Sequence, residues 1–449
     1  MRLGTLVAAL CLACGGGGDD DGAGDRDGGG GQDDGGAADG AADGDGGRDP
    51  DAVVVRVFGE DVGPEGLLVV LQDADGAVLE EGLTDADSEV VFVDPPAGAL
   101  VTVLLEAEGT PQRSAYTVVG VEAGDVIVVG EPPFVAEETM NVRVDYPGGF
   151  TGAETYLTDM GCDAWGQGDP DVLLDRSIGV SCLAADGHLD GLAQAREGTT
   201  PLAYAVVRDV APVAGTTDIP LGAWMPATTL ELTVGNLTAE IDDTDVDLRA
   251  ELAGASRWPG PQAGDVFTVP AASQVDGWLV SAAARAFDGG DARVWQRRMV
   301  LPADIASPHE LDFDTFGPRF DTLAIDAADP LRPEVTWTSS AATDSYNVIM
   351  LRVTWYDPEQ LPDGGHLWTV VMPADTTSVV LPALPSSAAS YRPSATAEYS
   401  MLQVYALWYA RHDDYAAARN DRPFELNGAF VDGTTDEARF QYFQEDLEP

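Results

Sequence analysis

The sequence predicts an all-β chain, a row of β-sandwich domains that follows a disordered Gly/Asp-rich leader. Three observations predict it. Past residue 51, short runs rich in β-branched residues alternate with clusters of Gly, Pro, Asp and Asn, the pattern of strands and turns. The 51 Gly and 29 Pro leave few stretches able to sustain a long helix. The turn-bounded runs fall into four blocks of about 100 residues each, the ordinary size of a sandwich domain.

The N-terminus is organised differently. Arg2 supplies a positive charge, residues 3–13 form an apolar run, and the run stops at Cys14-Gly15, as in an export signal. Its end, Cys11-Leu12-Ala13-Cys14, resembles the lipobox of bacterial lipoproteins, in which a small residue precedes a cysteine that is acylated and becomes the mature N-terminus. Cys11 stands where that family usually has Leu. The resemblance implies a signal peptide over 1–13, a lipidated Cys14 and attachment to a membrane. Residues 15–51 contain 16 Gly and 12 Asp with only two Arg, so no core can form there. Residues 14–51 are therefore expected to be an acidic disordered tether, with an r.m.s. span of about 35 Å.

The first block, residues 52–134, has strand-like runs at 53–58, 67–71, 90–93, 101–105, 116–119 and 126–129, with a hairpin-type turn at Asp73-Ala74-Asp75-Gly76. Residues 67–92, with that turn and the following Thr84-Asp85-Ala86-Asp87, resemble the carboxypeptidase regulatory-like, or prealbumin-like, sandwich of bacterial surface proteins. Ser88 replaces the Gly expected next. Such modules are spacers and bring no peptidase chemistry. The second block, 135–228, has runs at 141–145, 153–158 and 202–207. The third, 229–320, has them at 230–234, 245–252, 266–269, 278–287 and 294–300. The fourth, 321–449, has them at 334–338, 348–356, 367–372, 378–381 and 399–409. Its order of features, Pro333 to Trp337, Trp355, Val379 to Pro385 and a Tyr-rich strand, resembles a fibronectin type III or related immunoglobulin-like sandwich.

Composition excludes several chemistries. All 23 basic residues are Arg, so nothing built on an ε-amino group is available. A formal net charge of −54 repels polyanions, so nucleic acid is not an expected partner. Cys162 and Cys182 are the remaining cysteines, and in an oxidising compartment they are expected to form a disulfide. His188 lies six residues beyond Cys182, but the paired short spacings of a zinc site are missing and no metal site is predicted. No G-x-S-x-G and no H-E-x-x-H occurs, and no catalytic residue is assigned. His188, His309, His366 and His412 read as turn or surface residues. Asp243-Thr244-Asp245-Val246-Asp247 starts like a calcium loop but has Leu248 in place of the turn Gly, so its acids read as the wet face of a strand.

One stripe departs from the acidic background. Period two places Arg293, Trp295 and Arg297 on one strand face, where guanidinium beside indole would hold an acidic glycan or another anion. Tyr399, Met401, Tyr405, Leu407 and Tyr409 share a face in the same way and read as core.

The expected protein is a surface or periplasmic lipoprotein of the bacterial cell envelope, lipid-anchored to a membrane and secreted if not lipidated, with a non-catalytic binding, adhesive or structural role. Its partners would be the membrane, through Cys14, and a glycan or protein ligand at the cell surface. Two alternatives stand beside it: a secreted glycosidase with its carboxylate pair among the 77 acids, and a calcium-dependent adhesion module. No cofactor other than that calcium is expected.

Overall fold

Alternation of inward and outward side chains organises the chain into six β-sheets among the described residues. The computed structural model describes residues 50–447 apart from 59–64, 107–111, 131–138, 161–164, 170–172, 180–182, 184–186, 238–240, 254, 258–264, 289–290, 313–316, 344, 358–364 and 421–436. The signal segment, Cys14 and nearly all of the tether lie outside the described residues, as do Cys162 and Cys182. The all-β class holds; α1 is the one α-helix among the described residues, and it is five residues long.

The first strands are β1 (Ala52–Val57), β2 (Leu68–Gln72), β3 (Val78–Leu83), β4 (Glu89–Val93), β5 (Ala99–Glu106), β6 (Gln112–Val121) and β7 (Val126–Val129). The sheet β4-β1-β7 lays Val53, Val55 and Val57 against Val69, Val101 and Val103 of β2 and β5. Removing that much β-branched surface from water holds the two layers together, at about 25 cal/mol per Å². Both Asp turns close on their own backbone. Asp73 Oδ1 accepts from the N–H of Asp75 (3.0 Å) and Ala77 (2.8 Å). Asp85 Oδ1 accepts from Asp87 (2.9 Å) and Glu89 (3.0 Å). Ser88 takes the left-handed conformation, φ 65°, at the position where the resembled family has Gly.

A two-sheet sandwich follows, built from β8 (Thr139–Asp145), β9 (Thr155–Asp159), β10 (Trp165–Gly168), β11 (Leu174–Gly179), β12 (Leu189–Glu197), β13 (Thr200–Val210), β14 (Thr216–Pro220) and β15 (Met225–Pro226). Its sheets run β11-β8-β14 and β10-β9-β12-β13-β15. Val142, Val144, Ile178 and Ile219 of the first meet Ala193, Ala195, Ala203 and Ala205 of the second.

The next strands are β16 (Thr228–Gly235), β17 (Asp243–Leu252), β18 (Ala255–Arg257), β19 (Val266–Val269), β20 (Gly277–Asp288), β21 (Asp291–Pro302) and β22 (His309–Asp312). The last are β23 (Phe320–Asp326), β24 (Glu334–Ser339), β25 (Val348–Tyr356), β26 (Gly365–Pro373), β27 (Ser378–Val380), β28 (Glu398–Tyr409), α1 (Tyr415–Arg419) and β29 (Ala438–Asp446).

Strands from three of the four sequence blocks join one twelve-stranded sheet in the order β18-β17-β20-β21-β29-β28-β25-β26-β6-β5-β2-β3. Two contacts make it continuous. β6 pairs in parallel with β26, and β29 inserts between β21 and β28 with antiparallel ladders on both sides. Registers define its two faces. On one, Trp278, Val280 and Trp295 pack under the sheet β19-β16-β22, while Leu351, Val353, Trp368, Val370 and Phe443 pack under β23-β24-β27. On the other, β4-β1-β7 covers the β2–β6 end, and α1 packs beside the centre, where Ala418 meets Val348, Met350, Val371 and Leu407.

Polar groups at the β6–β26 seam are matched inside the core. Trp368 Nε1 donates to Thr117 Oγ1 (2.8 Å), Thr117 and Thr102 share a hydroxyl bond (2.8 Å), and Thr102 donates to Gln72 Oε1 (3.1 Å). Gln72 Nε2 then donates to the Ala383 carbonyl (3.1 Å). Every hydroxyl in this chain has a partner, which is the condition for a buried polar network to stabilise. A second tie holds the β8–β15 sandwich to the large sheet: Arg208 Nη1 donates to both oxygens of Asp276, at 2.9 and 2.8 Å, and Nη2 to the Gln274 carbonyl (2.9 Å), which keeps the Asp276 carboxyl below its ordinary range.

Candidate binding site

The Arg293, Trp295, Arg297 stripe does assemble on one face of β21, but that face is core. Trp295 is 2% exposed and packs in the cluster under β19-β16-β22, with Arg319 6.0 Å from its ring centroid. Arg293 lies over Phe443 at 4.9 Å, and Arg297 pairs with Glu437. With its ring buried, Trp295 offers no stacking surface, so the expected ligand stripe is corrected to a packed seam. The sequence did not reveal that a second sheet covers this face.

His366 is the second correction. It is the second residue of β26, 1% exposed, and lies against Trp355 with ring centroids 5.0 Å apart and planes 8° from parallel. Cross-strand registers explain this. His366 pairs with Trp355 on one side and Arg113 on the other, so alternation along β26 directs it to the same face as the core Trp368. Burial, with Arg113 adding to it and Asp357 opposing, moves its pKa below the ordinary value of 6.5. A lowered folded-state pKa means the fold favours the neutral ring. The contribution is intact above pH 6.5 and is lost as pH falls, because the unfolded chain takes up the proton first. The melting temperature is therefore expected to fall more steeply below pH 6.5 in the wild type than in His366→Phe. Parallel thermal melts from pH 7.5 to 5 check this, and equal slopes would remove His366 from the account.

Among the described residues no group of three His, Cys, Asp or Glu side chains is arranged to hold a metal. The Asp243, Asp245 and Asp247 side chains lie exposed on β17, as alternation requires. Arg285 pairs with Asp243 (2.9 Å) and Asp245 (3.6 Å), and Arg249 with Asp247 (3.6 Å). A partly open cavity of about 60 Å³ lies in the β8–β15 sandwich between Val144, Thr158, Met160 and Ile178, far below the several hundred Å³ of a small-molecule pocket.

The arrangement best suited to recognition lies on the other face of the twelve-stranded sheet. Alternation along β25 sends Leu351, Val353 and Trp355 into the core and turns Met350, Arg352 and Thr354 the other way. Register then builds a row across five strands. Arg352 stands opposite Thr369 of β26 and Gln403 of β28, Tyr116 of β6 follows beyond Thr369, and Gln444 of β29 beyond Gln403. Tyr405 and Tyr442 stand opposite each other two residues along, their rings 4.9 Å apart.

Hydrogen bonds fix this surface. Tyr405 Oη donates to Gln403 Oε1 (2.9 Å), Gln403 Nε2 donates to Tyr442 Oη (3.1 Å) and Gln444 Oε1 (2.9 Å), and Tyr442 Oη donates to Gln444 Oε1. The Arg352 guanidinium sits 5.9 Å from the Tyr405 ring centroid. Burial lowers the Arg352 pKa, and the opposing influences are the hydroxyls of Tyr405, Tyr116 and Tyr442, with no carboxylate among them. Its Nε is buried and donates to nothing. Burial pushes the Tyr405 phenol up to about 12, against the pull of Arg352, and raises Tyr116 and Tyr442 as well, so all three remain neutral hydroxyls at physiological pH.

Tyr405 and Tyr409 share this face, as the alternation of the Tyr-rich strand predicts. Tyr399 does not. A bulge opposite Thr354 and Trp355 shifts the register by one residue and turns Tyr399 to the opposite face, where it meets Trp355 at 6.4 Å.

No family model matches the chain, and no curated protein matches it. Among solved structures the Bacillus anthracis TIE protein is similar at 10% identity, over 58% of this chain and 49% of that one, with a TM-score of 0.14. At that score the likeness carries neither fold nor function across.

Proposed function

We propose that this chain is a lipid-anchored protein of the bacterial cell envelope with a non-catalytic binding role, and that its recognition surface is the Arg352 row. One observation carries the binding role: a half-buried guanidinium that, among the described residues, has no carboxylate among the groups acting on it, in a chain with 77 acidic residues. A charge held out of water without a counter-charge is costly, and a chain this acidic could supply one. Its absence fits an anionic group delivered by a ligand. The envelope role is supported by the apolar run that ends at Ala13-Cys14 and by the Gly/Asp tether behind it. In that oxidising compartment Cys162 and Cys182 form a disulfide.

Metabolic labelling with a fatty acid tests the anchor. Label is expected on the wild type and lost in Cys14→Ala, and persistence in the variant overturns the anchor. A glycan array tests the surface: retention is expected to drop in Arg352→Gln, and identical patterns for both proteins would remove Arg352 from recognition.

A further inference from the structure

Resting on the reading of the Arg352 row as a recognition surface, we infer that its ligand is a carboxylate-bearing saccharide, such as a uronic-acid oligomer. Three features of the row select that chemistry. A single planar guanidinium, half-buried on β25, matches one carboxylate, since fork geometry pairs two parallel N–H groups with two oxygens. Around it stand the half-buried Tyr116 and Tyr442 and the half-buried Gln444, held in place by the buried Gln403, a set that supplies ring faces for sugar C–H groups and polar groups for hydroxyls. The surroundings reject denser anions. Asp446 lies in the next row and accepts from Gln444 Nε2 (2.6 Å).

The charge of the whole chain adds a signature. A net −54 repels any anion at long range, while the contact with Arg352 is local. Screening therefore removes the repulsion first. Association with a sparsely charged oligomer should strengthen as sodium chloride rises from about 0.01 to 0.15 M, where the screening length shortens from about 30 to 8 Å. Ordinary attraction between a basic surface and an anion weakens over that range.

Calorimetric titration of the full chain with trigalacturonate, neutral trigalactoside and a pentapeptide with a free C-terminal carboxylate separates the outcomes. Trigalacturonate is expected to bind at least tenfold more tightly than the trigalactoside. Arg352→Lys, which keeps the charge and loses the fork, is expected to cost about tenfold, and Tyr442→Phe a smaller loss. The Tyr442 variant keeps the test informative should the Arg352 site not tolerate exchange. Equal binding of the acidic and neutral sugars overturns the carboxylate inference while leaving the recognition surface in place. Arg352-dependent binding of the peptide without the sugar overturns the saccharide class. Binding of none of the three, with an array pattern unchanged in Arg352→Gln, overturns inference and surface together.

Discussion

Replacing Phe443 by Ala is expected to destabilise the protein by about 3–5 kcal/mol, the usual cost of emptying an aromatic site in a packed core. Phe443 is 2% exposed, belongs to the cluster under β23-β24-β27, and also carries Arg293 over its ring. Its position in β29 gives the loss a second consequence. β29 fills the gap between β21 and β28, so weakening it weakens the only ladder that joins those two strands among the described residues. Trp295 lies on β21 and Trp355 on β25, on opposite sides of the inserted strand. Denaturant titrations of the wild type, followed by hydrogen exchange at the backbone amides of β21 and of β25, should give coincident transitions. A Phe443→Ala loss below about 1 kcal/mol, or separated transitions in the wild type, would contradict an integral role for β29.

The second large effect is expected at the Asp125–Arg419 pair. Arg419 at the end of α1 and Asp125 before β7 are 6% and 8% exposed at their side chains and 2.8 Å apart. Asp125 also accepts from Asn420 Nδ2 (2.8 Å) and from the Glu122 N–H (2.7 Å). Removing one partner strands the other charge in a poorly solvated site, at about 3–5 kcal/mol. Arg419→Met and Asp125→Ala should each incur most of that loss, and the double variant should be far less destabilised than their sum. A double-mutant cycle measures the coupling, and strict additivity would show that the pair is dispensable.

The sequence carried local information well where a strand has one apolar face. The run predicted at 348–356 coincides with β25, and 266–269 and 126–129 coincide with β19 and β7. The hairpin turn at Asp73 was legible because Asp and Gly at those offsets have a mechanism, now visible as the bonds from Asp75 and Ala77. Strands whose two faces are both mixed were missed. In β29 the alternation of Phe440 and Tyr442 with Arg439 and Gln441 breaks at Phe443, and in β12 Leu189 and Leu192 stand three apart among Asp190 and Gln194, so neither strand keeps a period of two along its length.

The site was illegible for a different reason. Arg352 looks in sequence like the solvent-facing member of an ordinary alternating strand. Its neighbours Tyr116, Gln403 and Gln444 come from β6, β28 and β29, which only pairing across the sheet brings together. Trp295 misled in the converse way. Arginines on both sides implied a wet face, whereas the β19-β16-β22 layer covers it.

The place of β29 also bears on the order in which the molecule can be made. A chain emerging from its N-terminus exposes β17, β20 and β21 early, but the open ladder of β21 finds its partner only when β29 has been synthesised. The Arg297–Glu437 pair spans 140 positions of sequence. β6 waits likewise, for β26, and its Thr117 meets Trp368 across 251 positions. Long-range pairings of this kind form slowly, and until they do the unpaired edges invite pairing with other chains. The high negative charge is suited to that interval, because copies of such a chain repel one another while their strands stand open. Acidity thus acts on the nascent molecule as a deterrent to self-association, before there is any folded surface for it to cover.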